Sequence, residues 1–155
     1  MKKIFIVFSV VLTLSFFGCA EADNKVYDID ISKMAADISA EFDASVELTR
    51  LTEQSVNDRY GLKGLFSEIY AEASVAISAD EFVVIKAIDE ESAKQAYDML
   101  DKYRKERADL FRTYAPDESP KLEKALLDRA GEYVFFVACE DTSSAEKIWK
   151  EYKSK

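Results

Sequence analysis

Histidine is absent from this chain of 155 residues. That removes the commonest general base, the Ser-His and Cys-His nucleophile pairs and the usual zinc ligand. What remains for catalysis is carboxylate chemistry of the kind some glycosidases use, so an enzyme is not the expected reading. Cysteine is scarce, with two residues, Cys19 and Cys139. With four glycines in the whole chain, no glycine-rich phosphate loop is present and nothing resembles a nucleotide site. Positive charge is in the minority: 21 Lys and Arg face 30 Asp and Glu, a formal charge of −9. Such a surface repels nucleic acid, and no basic-aromatic stripe argues otherwise.

What is there begins at the N-terminus. Lys2 and Lys3 precede an apolar run over residues 4–17, followed by Gly18 and Cys19. A basic tip and a short apolar stretch are the layout of a secretory signal peptide. The run is about 14 residues, too short for a bilayer core that takes roughly 20 helical residues. It ends in Ala20, Glu21 and Asp23 rather than a basic stop-transfer flank. Cys19 closes the run where a small-residue cleavage site would otherwise sit. Phe16-Phe17-Gly18-Cys19 resembles the lipobox of bacterial lipoproteins, in which the cysteine is acylated and becomes the new N-terminus. The alternative is a secreted protein with an incidental cysteine. Lipobox sequences usually carry Leu where this chain has Phe16, whereas Gly18 fits the small residue expected before the cysteine.

The expected organisation is a lipoprotein signal peptide over residues 1–18, a tether over 19–26 and a single α+β domain over 27–155. Several acyl chains on Cys19 would anchor the protein stably, where one chain is marginal. A tether of about eight residues reaches no more than roughly 25–30 Å, which keeps the domain near the membrane. All 30 acids lie beyond residue 18 while Lys2 and Lys3 do not, so the mature chain is more acidic than the whole. Anionic lipid would repel it, leaving attachment to the acyl anchor. With Cys19 acylated, Cys139 is the only thiol left and sits in an apolar run, as an inert core residue would.

Periodicity supplies the elements. Ser32 is placed to cap a helix bearing Met34, Ala35, Ile38 and Phe42, and residues 46–51 suit a short strand. Thr52 and Gly61 bracket a second short helix. Residues 69–77 alternate as a half-buried strand, and residues 82–88 form its partner. Asp89, Glu90 and Glu91 open a long helix to about Tyr114, with a stripe of Ala93, Ala96, Tyr97, Leu100, Tyr103 and Phe111. Residues 122–128 read as a strand, Arg129-Ala130-Gly131-Glu132 as a turn and residues 133–139 as its partner. Thr142 or Ser143 then caps a last helix bearing Ala145, Ile148, Trp149 and Tyr152. Residues 81–89 align without a gap on residues 132–140. The expected fold is therefore a four-stranded antiparallel sheet from two strand-strand-helix repeats, helices on one face, preceded by one or two short helices.

Four segments occur in a recognisable order: Ala79-Asp80-Glu81-Phe82-Val83-Val84-Ile85-Lys86-Ala87, Phe111 with Tyr114-Ala115-Pro116, Pro120-Lys121-Leu122-Glu123 and Gly131-Glu132-Tyr133-Val134. With Tyr60-Gly61-Leu62 and the N-terminal cysteine, they resemble the domain of unknown function 4358 family, small lipoproteins of Gram-positive bacteria. The chain departs from that pattern at Glu132, where Asn is usual, and at Tyr103, where a basic residue is expected. The resemblance implies a location and a domain shape, and it brings no catalytic residues.

Among charged groups, Asp28/Asp30, Asp89/Glu90/Glu91, Asp117/Glu118 and Glu140/Asp141 are calcium candidates by composition. None has the EF-hand loop, and most sit at helix starts, where acids are stabilising as caps. The basic face of Lys102, Arg104, Lys105, Arg107 and Arg112 suits phosphate, an anionic polymer or headgroups, but Glu106 and Asp109 dilute it. Phe66, Tyr70, Phe111, Tyr114, Tyr133 and Trp149 suit a core better than a ligand groove. The expectation is a lipid-anchored, non-enzymatic binding domain on the extracytoplasmic face of the cell membrane, without cofactor or metal. Its partners would be the membrane, through acyl chains on Cys19, and an envelope protein or polymer. The alternative is an accessory or solute-binding component of a membrane transporter.

Overall fold

A computed structural model describes residues 25–43 and 45–154. The signal peptide and Cys19 lie outside the described residues. No helix among the described residues is long and apolar enough to cross a membrane.

Five strands, β1 (Leu48–Arg50), β2 (Phe66–Ser74), β3 (Glu81–Ala87), β4 (Leu126–Ala130) and β5 (Tyr133–Ala138), form one sheet in the order β1-β2-β3-β5-β4. Every pairing is antiparallel. Five helices accompany them: α1 (Ile31–Ser39), α2 (Glu53–Tyr60), α3 (Glu90–Tyr114), α4 (Ser119–Glu123) and α5 (Ser143–Lys153). The class is α+β, with five strands where four were expected; the short segment at Leu48 joins the sheet edge beside β2.

Helices cover both faces of the sheet, not one. β3 and β5 are apolar at nearly every position and buried throughout except at Lys86. Such unbroken strands need cover on each side. Val83, Ile85, Val134 and Phe136 pack beneath α2, α3 and α4. Phe82, Val84, Phe135 and Val137 pack beneath α1 and α5. The repeat survives in the strands, where Val83 and Val134 share one core and Phe82 and Tyr133 the other. It breaks at the helices, because α3 and α5 lie on opposite faces. The duplicated unit is a hairpin alone.

Boundaries shift in three further places. Residues 122–128 divide into α4 and β4, with Pro120 in the first turn of the helix, where its missing N–H costs nothing. β2 ends at Ser74, leaving Val75 and Ile77 exposed at 67 % and 74 % in the hairpin turn. Asp30, not Ser32, caps α1, its Oδ1 accepting from Lys33 N at 2.9 Å. Thr52 and Gly61 bracket α2 as expected, Gly61 taking the left-handed φ of 75°.

The two ends of the sheet differ. Tyr27 brings the chain in beside Gly131, at the end where β3 finishes and β5 begins. The other end, where β3 begins and β5 finishes, carries the charged residues described next.

Candidate functional site

Alternation along β3 sends Asp80 and Glu81 to opposite faces. Glu81 is buried at 0 % exposure under α2 and α3. The last turn of α2 presents Arg59 and Tyr60, and one turn spacing on α3 presents Tyr103 and Arg107. Tyr60 donates to Glu81 Oε2 at 2.7 Å and Arg59 Nε donates to the same oxygen at 2.9 Å. Tyr103 donates to both oxygens, at 2.9 and 3.0 Å, while Arg107 Nε stands 3.8 Å from Oε1. Burial, then the Glu81 charge, pushes both tyrosine hydroxyls well above the ordinary tyrosine range, so they remain donors. Burial alone would lower Arg59, but the Glu81 charge and hydrogen bond together with Tyr103 and Tyr60 outweigh it and raise the guanidinium above its usual value. This centre clamps α2 and α3 to β3, and a substrate has no approach to its carboxylate.

On the opposite face lies a cavity of about 240 Å³, at the end of the sheet away from Tyr27. Ile38 of α1, Phe42, Val46, Val137 of β5 and Ala145 of α5 supply apolar walls. Asp80, Lys121 and Cys139 form the polar floor, and Glu41, Asp43, Glu140 and Asp141 complete the lining. Lys121 Nζ is held 2.8 Å from Asp80 Oδ2 and 3.2 Å from Glu118 Oε1. Glu118 in turn accepts from Ala79 N at 2.8 Å, and the single Ser78 hydroxyl proton is shared between Glu118, 2.9 Å away, and Asp80. Burial would lower the Lys121 ammonium, yet its bonds to Asp80 and Glu118 raise it overall. Burial would raise Glu118, yet its bonds from Ala79, Lys121 and Ser78 hold it below the ordinary glutamate value. Burial and the Asp80 charge push the Cys139 thiol up to about 11, so it stays protonated, donating to Asp141 O at 3.3 Å. A protonated thiol is a poor nucleophile.

The acids singled out in the sequence divide by role. Asp30, Asp89 and Asp141 accept backbone N–H groups at the starts of α1, α3 and α5. Glu118, Glu140 and Asp141 belong to the cavity end. Among the described residues no group of three or more His, Cys, Asp or Glu side chains is arranged to hold a metal ion. The basic face is dispersed into pairs. Arg104 and Lys105 share Asp101, Lys102 meets Glu106, Arg112 meets Glu123 at 2.7 Å, and Arg107 turns inward toward Glu81. Phe111, Tyr133 and Trp149 are core residues, while Tyr114 is 51 % exposed. Glu81 and the Lys121 floor escaped the sequence reading. The available signal was an acid pair, Asp80-Glu81, set directly against the apolar run of residues 82–85.

A family model described as Domain of unknown function (DUF4358) matches residues 40–139. The match contains every residue of the Glu81 centre, whereas the cavity straddles both of its boundaries. No curated protein and no solved structure matches the chain.

Proposed function

The chain belongs to the domain of unknown function 4358 family, and from that premise we propose that it is a lipoprotein anchored by acyl chains on Cys19 to the extracytoplasmic face of the cell membrane. Its domain binds rather than catalyses, and the cavity between α1, β5 and α5 is its binding end. One observation carries the arrangement. Tyr27, where the tether meets the domain, abuts Gly131, and the cavity opens at the opposite end of β3 and β5. A strand of seven residues spans roughly 23 Å. A short tether therefore keeps the Gly131 end at the lipid and directs the cavity outward.

The preference for binding over catalysis rests on the chemistry of the lining. The chain has no histidine, the Cys139 thiol is protonated, and Lys121 is engaged by two carboxylates. A solute-binding role beside a membrane transporter is the second reading, favoured by a cavity sized for one small molecule.

The anchor is tested by replacing Cys19 with Ala and labelling cells with radioactive palmitate. Label is expected in the wild type and absent from the variant, which accumulates as a larger precursor. Equal incorporation in both would remove the proposal.

A further inference from the structure

The cavity's lining has two properties that together select a class of ligand. Its walls are apolar, formed by Ile38, Phe42, Val46, Val137 and Ala145. Its charge is one-sided, since Glu41, Asp43, Glu140 and Asp141 remain after Asp80 and Lys121 pair with each other. That lysine does not offset the rim, because Asp80 and Glu118 already hold its ammonium at 2.8 and 3.2 Å. Glu41 and Glu140 are exposed at the mouth, where an incoming charge would meet them. An anionic ligand would face uncompensated repulsion, and a neutral apolar one would leave the acidic mouth unused.

Resting on the reading of this cavity as the binding end, we infer that it takes a small organic cation, an apolar body carrying a protonated amine. The body fills the space between Phe42, Val137 and Ala145, and the ammonium stays at the mouth between Glu41 and Glu140. At about 240 Å³ the space lies just below the range of drug-sized sites, which limits the ligand to a small molecule. The ammonium remains partly hydrated there, so it avoids the desolvation cost of a fully buried charge.

The test uses the mature, acylated protein in lipid nanodiscs, with empty nanodiscs as the blank. Calorimetric titration at low ionic strength compares three probes of similar shape: 2-phenylethylammonium, 2-phenylethanol and 3-phenylpropanoate. The ammonium is expected to bind about tenfold more tightly than the alcohol, the scale of a few partly exposed ion pairs, and the carboxylate more weakly than either. Glu41→Gln combined with Glu140→Gln changes only exposed residues and is expected to erase that preference while leaving the alcohol unaffected. Equal binding of the three probes, or an ammonium affinity untouched by the double variant, overturns the cation assignment and leaves the cavity as a binding site. Binding of none of the three overturns the cavity reading as well.

Discussion

A carboxylate at the first position of a doubly covered strand loses its hydration, and it is tolerated only when every lone pair is answered. Glu81 is answered by two hydroxyls and a guanidinium at hydrogen-bond distance, with a second guanidinium 3.8 Å away. Its partners do not contribute equally. Tyr103→Phe removes one donor but leaves Tyr60 and Arg59 in place, and it is expected to cost about 1–2 kcal/mol. Glu81→Ala leaves a largely buried Arg59 and two inward hydroxyls without an acceptor, at an expected cost of about 3–5 kcal/mol. Urea unfolding followed by the fluorescence of Trp149, the only tryptophan, measures both. Equal costs for the two variants would show that Glu81 is not the hub of this centre. Tyr103 is also the position where the family resemblance expects a basic residue. A basic side chain there would meet the same carboxylate, so the departure keeps the partner and changes only its chemistry.

At the scale of elements, charge adds to apolar burial in fastening α4 to the β2–β3 hairpin, where Leu122 already packs in the core of Val83 and Ile85. Lys121 links Asp80 and Glu118, and Glu118 also receives Ala79 N. The two shifts have opposite signs and bracket a window of pH. Glu118 is held below its ordinary value of 4.5 in the folded chain, so its contribution is present at neutral pH and lost as pH falls through 4.5 and below. Lys121 is held above its ordinary value of 10.5, so its contribution is present below that pH and lost as pH rises beyond it. Glu118→Gln is therefore expected to flatten the fall in stability on the acid side, measured as the urea midpoint against pH. Parallel acid limbs in variant and wild type would contradict this linkage. These fastenings explain what the sequence could and could not tell. Helices α2 and α3 were legible because Thr52, Gly61 and Asp89 mark their ends locally. β4 was misplaced because Leu122 continues an apolar pattern that Pro120 had already committed to a helical turn. Val75 and Ile77 continue the alternation of β2 past its last partner, and periodicity alone does not show where pairing stops. The unbroken runs of β3 and β5 did carry the sign of two covered faces, but their similarity to each other pointed toward helices on one. The Glu81 centre draws on residues 59, 60, 103 and 107, an assembly that only the fold brings together.

Across the whole molecule, the polarity of the sheet becomes an orientation. Tyr27 and Gly131 meet at one end, and the acid-lined cavity occupies the other. Attachment through Cys19 would hold the first end against lipid, and acids at the second are repelled by anionic headgroups. The first end carries acids of its own, Glu90 and Glu132 beside Tyr27 and Gly131, so charge does not choose between the ends and the attachment point alone would set the orientation. Ile88 and Val75 mark the two ends, are exposed at 55 % and 67 %, and sit just beyond β3 and β2 respectively. In a Cys139→Ala background, Ile88→Cys and Val75→Cys each give a single labelling site, since the proposed acylation of Cys19 would block its thiol. With the acylated protein on vesicles carrying spin-labelled headgroups, a fluorophore at position 88 is expected to be quenched several-fold more than one at position 75. Equal quenching at the two positions would mean that the domain tumbles freely on its tether. Stronger quenching at position 75 would turn the cavity toward the membrane, and its ligand would then have to come from the lipid side.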